Sequence, residues 1–288
     1  MLKVINGLVE PKITNEIDKQ FFAEVKKIPA KEILPGYMFN SYNNTIVQVE
    51  TENGPVICNN CSDNYLLIPN REIFPILEQE MEKFGLTEIH RNVIDNSTFF
   101  VDYDFLGKDK KILVAKGDVI FPRISIENSY NSRYLFKINA AFLRQVCTNG
   151  LCLPVEDSTF GTILSHSKGN INKIVEESLE GIRSFFENAK EIAGEYEILM
   201  EKKVAISDIE EYVQEILKKT NSLLSYKENI IERIKQESAS GIEVNLFNIY
   251  NGINYFLQPA HNEFITNDNV KRRQIDEKIL DCVFELAS

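Results

Sequence analysis

Residues 124–152 read ISIENSYNSRYLFKINAAFLRQVCTNGLC, and LSHSKGN follows at 164–170. Two apolar runs flank the polar segment Asn128-Ser129-Tyr130-Asn131-Ser132. Asn and Ser bond locally to backbone and tolerate turn dihedrals. The spacing predicts a turn over 128–132 between two antiparallel strands, with Ile124 and Ile126 on one and Leu135 and Ile138 on the other. The second run ends at Cys147-Thr148-Asn149-Gly150. Asn149-Gly150 suits positive φ, and Pro154 stops a helix from running through. The segment 147–150 is expected to be the bend where sheet gives way to helices.

Upstream, Asn15 to Lys27 has helical spacing at Ile17, Phe21, Phe22 and Val25. Thr45 to Glu50 reads as a strand, Glu52-Asn53-Gly54 as a hairpin turn and Val56-Ile57-Cys58 as the return strand. Tyr65 to Ile68 reads as another strand. A helix with Asn70 as N-cap carries the stripe Ile73, Phe74, Leu77, Met81 and Phe84 and ends at Gly85. Pro75 suggests a start a few residues later. Residues 87–146 read mostly as short strands joined by short turns. Downstream the period becomes helical: Ile171 to Met200, a helix capped at Ser207, Lys227 to Lys235, Leu246 to Tyr255 and Gln274 to Ala287. Strands first and helices after make an α+β chain, an N-terminal antiparallel sheet with long helices packed on it. The expected organisation is an N-terminal segment 1–45, a β-rich part 46–165 and a helical part 166–288, the last two forming one domain.

The 288 residues are 43% hydrophobic and 26% charged, which supports a packed core. The net charge of −11 opposes duplex binding through an all-round basic surface but allows a local basic groove. No apolar run has the length of a signal peptide or membrane span. A cytoplasmic protein without membrane contact is expected, its five cysteines free thiols.

Cys58-x2-Cys61 with Cys147 and Cys152 could close a four-thiolate zinc site. The plainer reading is four free thiols and no cofactor. Asp102-x-Asp104 places two carboxylates on one strand face, a pattern that suits a divalent metal as well as a solvated edge. His166 suits a general base, a nucleotide contact or a hydrogen-bonded residue that positions the long helix. Phosphate-cradling and nucleophile-elbow motifs are absent. Residues 103–146 interleave Lys108, Lys110, Lys111, Lys116, Arg123, Arg133, Lys137 and Arg144 with Phe121, Tyr130, Tyr134 and Phe136. Basic groups with stacking rings on a sheet are what single-strand binding needs. The helical half is acidic, from Glu176 through Glu201.

The chain resembles the phage/plasmid-like proteins grouped as domain of unknown function 932. Ser62 to Glu72 is similar to that family's strand-to-helix element. Ile126 to Tyr130, followed by Val146 to Leu151, resembles its polar turn, apolar strand and V-C-x-N segment, through Asn128, Ser129, Cys147, Asn149 and Gly150. Ser165 to Asn170, with His166, stands where it has an R-H-T element, and Asn248 to Tyr255 echoes a late helix. Tyr130-Asn131 departs from its frequent Asp-Gly, and Ser167 from its Thr. The resemblance implies a gene of a phage, prophage or plasmid in a bacterial host, and no established activity.

Together these readings point to a non-catalytic accessory protein that binds single-stranded nucleic acid in replication or recombination. The expected contacts are Arg123, Tyr130, Arg133, Tyr134, Lys137, Arg144, His166 and Lys168. The alternatives are a protein-interaction factor (a host-system antagonist or virion component, self-association included) and a metal-dependent enzyme.

Overall fold

The structure, a computed structural model, describes residues 9–115, 118–144, 150–152, 163–164, 170–239, 243–258, 262 and 269–288. In chain order the elements are α1 Glu16–Phe21, β1 Val25–Pro29, α2 Ala30–Ile33, β2 Thr45–Thr51, β3 Gly54–Cys61, α3 Asn70–Lys83, β4 Glu88–Ile94, β5 Thr98–Asp104, β6 Ile112–Ala115, β7 Asp118–Ser129, β8 Phe136–Arg144, β9 Gly150–Cys152, β10 Ile163–Leu164, α4 Ile171–Gly194, α5 Tyr196–Glu201, α6 Ile209–Thr220, α7 Lys227–Ala239, α8 Leu246–Tyr255 and α9 Asn269–Ala287. The chain is α+β, with antiparallel sheets in its N-terminal half and long helices after.

One sheet has the order β1-β2-β3 and the other β10-β8-β7-β5-β4, with β6 on β7 and β9 on β8. Contacts divide the chain into two compact units. One comprises residues 1–107, 124–139 and 159–186; the other comprises 108–123, 140–158 and 187–288.

In the first unit, the β2–β3 hairpin turns at Gly54, whose φ of 101° favours glycine. Val47 and Val49 share its buried face. The predicted helix over 15–27 is only α1. Its N-cap Asn15 accepts from the Asp18 amide, and the chain then enters β1, where Val25 pairs with Val49. Val25 and Ile28 fit helical spacing, but pairing with β2 decides the conformation. Residues 65–68 form no named strand, although Tyr65 and Ile68 are buried. Helix α3 starts at Asn70 in spite of Pro75, and Pro69 takes the cap position. Its Ile73, Phe74, Leu77 and Met81 are fully buried. Phe74 meets Phe21 edge-on at 4.8 Å and Phe136 at 6.3 Å, and Phe99 joins Phe21 to Tyr130. Phe186 of α4 stacks on Phe84 at 4.5 Å, and Arg183 pairs with Glu80 at 2.7 Å.

In the second unit, α6 to α9 bury Val213, Ile216, Leu217, Ile230, Ile234, Tyr250, Ile253 and Val283. Asn245 and Asn248 form a reciprocal capping box at the start of α8. The expected Ser207 cap is replaced: Ser207 Oγ donates to Asp208, and α6 starts at Ile209 without a side-chain cap. The single helix predicted to Met200 is interrupted between α4 and α5 at Glu195. Among the described residues no helix is long and apolar enough to cross a membrane.

Candidate nucleic-acid interface

The turn that organises the sequence falls between β7 and β8, over residues 130–135; Asn128 and Ser129, expected in it, are the last residues of β7. Ser132 takes the left-handed φ of 61°. The Ser129 hydroxyl accepts from the Tyr134 amide at 2.9 Å and donates to the Tyr134 carbonyl at 2.8 Å. Asn131 Oδ1 accepts from the Arg133 amide, while its Nδ2 donates to Ser97 Oγ at 2.8 Å. Asn59 of β3 donates to Ser132 Oγ and to the Tyr130 carbonyl. The tip is therefore tied to the β4–β5 turn on one side and to β3 on the other.

Below the tip the polar side chains turn inward. Tyr130 is buried, and its hydroxyl accepts from the Asn70 amide at 2.9 Å. That bond satisfies an orphan donor of the first turn of α3. Burial raises the Tyr130 hydroxyl pKa. Asn128, also buried, donates to the Ile68 carbonyl at 2.8 Å and to Asn70 Oδ1 at 2.7 Å, and its own Oδ1 has no partner among the described residues. Asn70 passes the chain on to the Phe21 carbonyl. Asn128 and Tyr130 thus fasten the sheet to α3 and, through Asn70, to α1. A family model described as Domain of unknown function (DUF932) matches residues 59–240, more than half of the chain. The chain belongs to that family. Searches of curated proteins and of solved structures returned no match. The matched region of this DUF932 chain includes the whole Asn59–Asn70–Asn128–Tyr130 network.

Above the network, Arg133 is exposed and Tyr134 half-exposed, with the guanidinium 5.6 Å from the Tyr134 ring centroid. This is the range of a cation–π pair. Phe100 supports the ring from below at 5.5 Å. Leu135 is 44% exposed, and Lys137 is half-exposed two residues on. The structure therefore separates the residues proposed from sequence. Arg133 and Tyr134 pair at one tip, and Lys137 stands three residues on from Tyr134, in β8. Tyr130 is a core ring and cannot stack on a base, because its hydroxyl is committed to α3. Phe121 and Phe136 are buried as well. Arg123 is half-buried in the second unit. His166, Lys168, Cys147 and Asn149 lie outside the described residues, as does the Arg144 side chain.

The bend expected over 147–150 also lies partly outside them, but its outcome is visible. Gly150 opens β9, where Leu143 pairs with Gly150 and Ala141 with Cys152. The chain returns to the sheet there, and again at β10, before helices begin at Ile171. Among the described residues the change from sheet to helices therefore comes at Ile171, after β9 and β10, rather than at Gly150.

Cys58 and Cys61 are half-buried free thiols on β3, and burial pushes both pKa values up. That works against thiolate ligands. Asp102 and Asp104 do share a strand face. Asp102 accepts from Ser125 Oγ at 2.5 Å, and Asp104 faces His90.

Proposed function

We propose that the protein binds single-stranded nucleic acid as a non-catalytic accessory protein of a phage or plasmid, in the cytoplasm of its bacterial host. One observation carries this reading: a hairpin tip, tied down by hydrogen bonds, that presents a paired guanidinium and aromatic ring, with Lys137 following in β8. A base stacks on a ring without sequence preference, and cations track the phosphates. Hydrogen bonds that fix the tip before binding reduce the ordering entropy of association. The interface is narrower than the sequence implied, since Tyr130, Phe121 and Phe136 are buried and do not line it. A fluorescence-polarisation titration on a labelled single-stranded oligonucleotide tests the proposal. Affinity should fall with salt, the logarithmic slope being about −0.7 for each phosphate neutralised. Lack of binding at low salt, or binding without a salt slope, contradicts it.

The loop between α2 and β2 favours a second reading, a protein-interaction factor. Tyr37 is 72% exposed, Met38 100% and Tyr42 81%. Exposed aromatic residues and Met are characteristic of protein interfaces. A triple serine substitution of these three residues should abolish capture of a host or phage protein; capture at the wild-type level rejects this reading.

A further inference from the structure

Strand β6 is an edge of the larger sheet. Among the described residues it pairs with β7 alone, Ile112 opposite Ile120 and Leu113 opposite Val119. On an edge strand the backbone groups of alternate residues point away from the one neighbour and stay open to a further strand. The ladder shifts register between Leu113 and Ala115, so the regular edge is short.

A cleft of about 310 Å³ lies beside this edge, within the second unit. Lys111, Ile112 and Leu113 form one wall; Lys190 and Gly194 of α4 and Glu197 of α5 form the other. Successive side chains of a strand point to opposite faces, so a cleft that borders three residues in a row follows the edge rather than one face. Its volume is at the lower end of the range for ligand sites, which suits a short segment. Leu113 is 65% exposed and offers an apolar contact to an incoming strand. The lysines are uncommitted: among the described residues neither Lys111 nor Lys190 has an ion-pair partner, and both are exposed. On a chain of net charge −11, the cleft sets these two cations against the single carboxylate of Glu197. The complementary ligand has a backbone that pairs with β6 and carboxylates that meet the lysines.

We propose that β6 takes up a short, extended, acidic peptide segment of a partner protein as an added strand, its carboxylates against Lys111 and Lys190. Main-chain hydrogen bonds supply the pairing, and the lysines supply the selection. The proposal does not depend on nucleic-acid binding: Arg133 and Tyr134 of the hairpin tip belong to the first unit and take no part in it.

The test is a set of polarisation titrations on the full-length protein at low salt with short labelled peptides. The first alternates glutamate with valine, the second alternates threonine with valine, and the third is the acidic peptide with alternate backbone nitrogens methylated. The acidic peptide should bind with a Kd below about 1 mM, and the other two about tenfold more weakly or worse. Amide exchange at Ile112 and Leu113 should slow when it is bound. Lys111→Glu/Lys190→Glu should weaken binding about fivefold or more. A Cβ added at Gly194 would meet no atom within 4 Å, so Gly194→Phe fills the cleft without a clash at the helix end and should abolish binding. Arg133→Ala should bind as the wild type does. Circular dichroism checks each variant, and the exposed lysine pair remains decisive if Gly194→Phe does not fold. No binding at about 1 mM, equal binding of the neutral or methylated peptide, full binding by the lysine variant, or loss of binding in Arg133→Ala would each overturn the proposal. So would a dimer of the free protein that Gly194→Phe splits, because a second copy would then occupy the edge.

Discussion

Replacing Arg91 by Met should cost about 3–5 kcal/mol at neutral pH, the range for removing one partner of a buried ion pair. Arg91 donates to Asp18 Oδ1 at 2.9 Å and to Glu78 Oε1 at 2.5 Å, and all three side chains are at least nine-tenths buried. The guanidinium also lies 5.3 Å and 4.9 Å from the Phe21 and Phe22 ring centroids. Methionine keeps much of the packing on those rings but leaves two carboxyls without their cation. Burial pushes the Glu78 carboxyl pKa up, by more than Arg91 and the Tyr103 hydroxyl pull it down. Its contribution to stability is complete below the unfolded pKa and lost as pH rises through the folded one. Burial also pushes Asp18 up, but Thr14 and Arg91 outweigh that and hold it low. Its contribution is complete above the unfolded pKa and lost as pH falls through the folded one. Without Arg91 both pKa values move up, so the deficit is largest near neutrality and narrows towards about pH 4, where carboxyls take up protons. Thermal unfolding followed by circular dichroism at both pH values reads this directly. A melting temperature lower by roughly 10 °C at neutral pH, with a smaller gap in acid, is expected. A loss under about 2 °C, or the same loss at both pH values, would refute the buried-network reasoning.

Two further substitutions probe the packing. Tyr130→Phe removes the acceptor of the Asn70 amide and leaves that donor buried, so denaturant unfolding should show a loss of about 1–3 kcal/mol; an unchanged midpoint would show that water reaches the site. At Gly252 an added Cβ would collide with Ile234 Cγ1, itself buried. Gly252→Ala should therefore lower stability by about 1–2 kcal/mol in the same assay, although alanine favours a helix by close to 1 kcal/mol; a stabilised variant would show that α7 shifts freely.

Local signals in the sequence carried the elements where propensity and pairing agree. The β2–β3 hairpin was legible in the alternation of Val47 and Val49 with Asn53-Gly54 behind them, and α8 in the spacing from Leu246 to Tyr255. Legibility failed where a distant partner decides. Val25 joins β1 because β2 lies beside it. Tyr130, in a polar turn among basic residues, reads as a surface ring, but the Asn70 amide draws it into the core. The same holds for the sites. Arg133 and Tyr134 are adjacent in sequence and pair in the structure. Asp102-x-Asp104 was visible, but His90 and Glu88 come to it only through the register of β4 on β5. Counting back from the Asp95-Asn96 turn, where both residues take positive φ, gives that register from sequence.

The most direct measurement is the affinity of Tyr134→Ala and Tyr134→Phe for a single-stranded oligonucleotide, by polarisation at fixed low salt beside the wild type. One lost stacking contact corresponds to about 1–3 kcal/mol, or roughly 5- to 150-fold. Tyr134→Ala should fall within that range, while Tyr134→Phe, which keeps the ring, should bind as tightly as the wild type. Tyr134→Ala binding at wild-type strength, with its fold intact by circular dichroism, would contradict the assignment of the β7–β8 tip as the nucleic-acid interface.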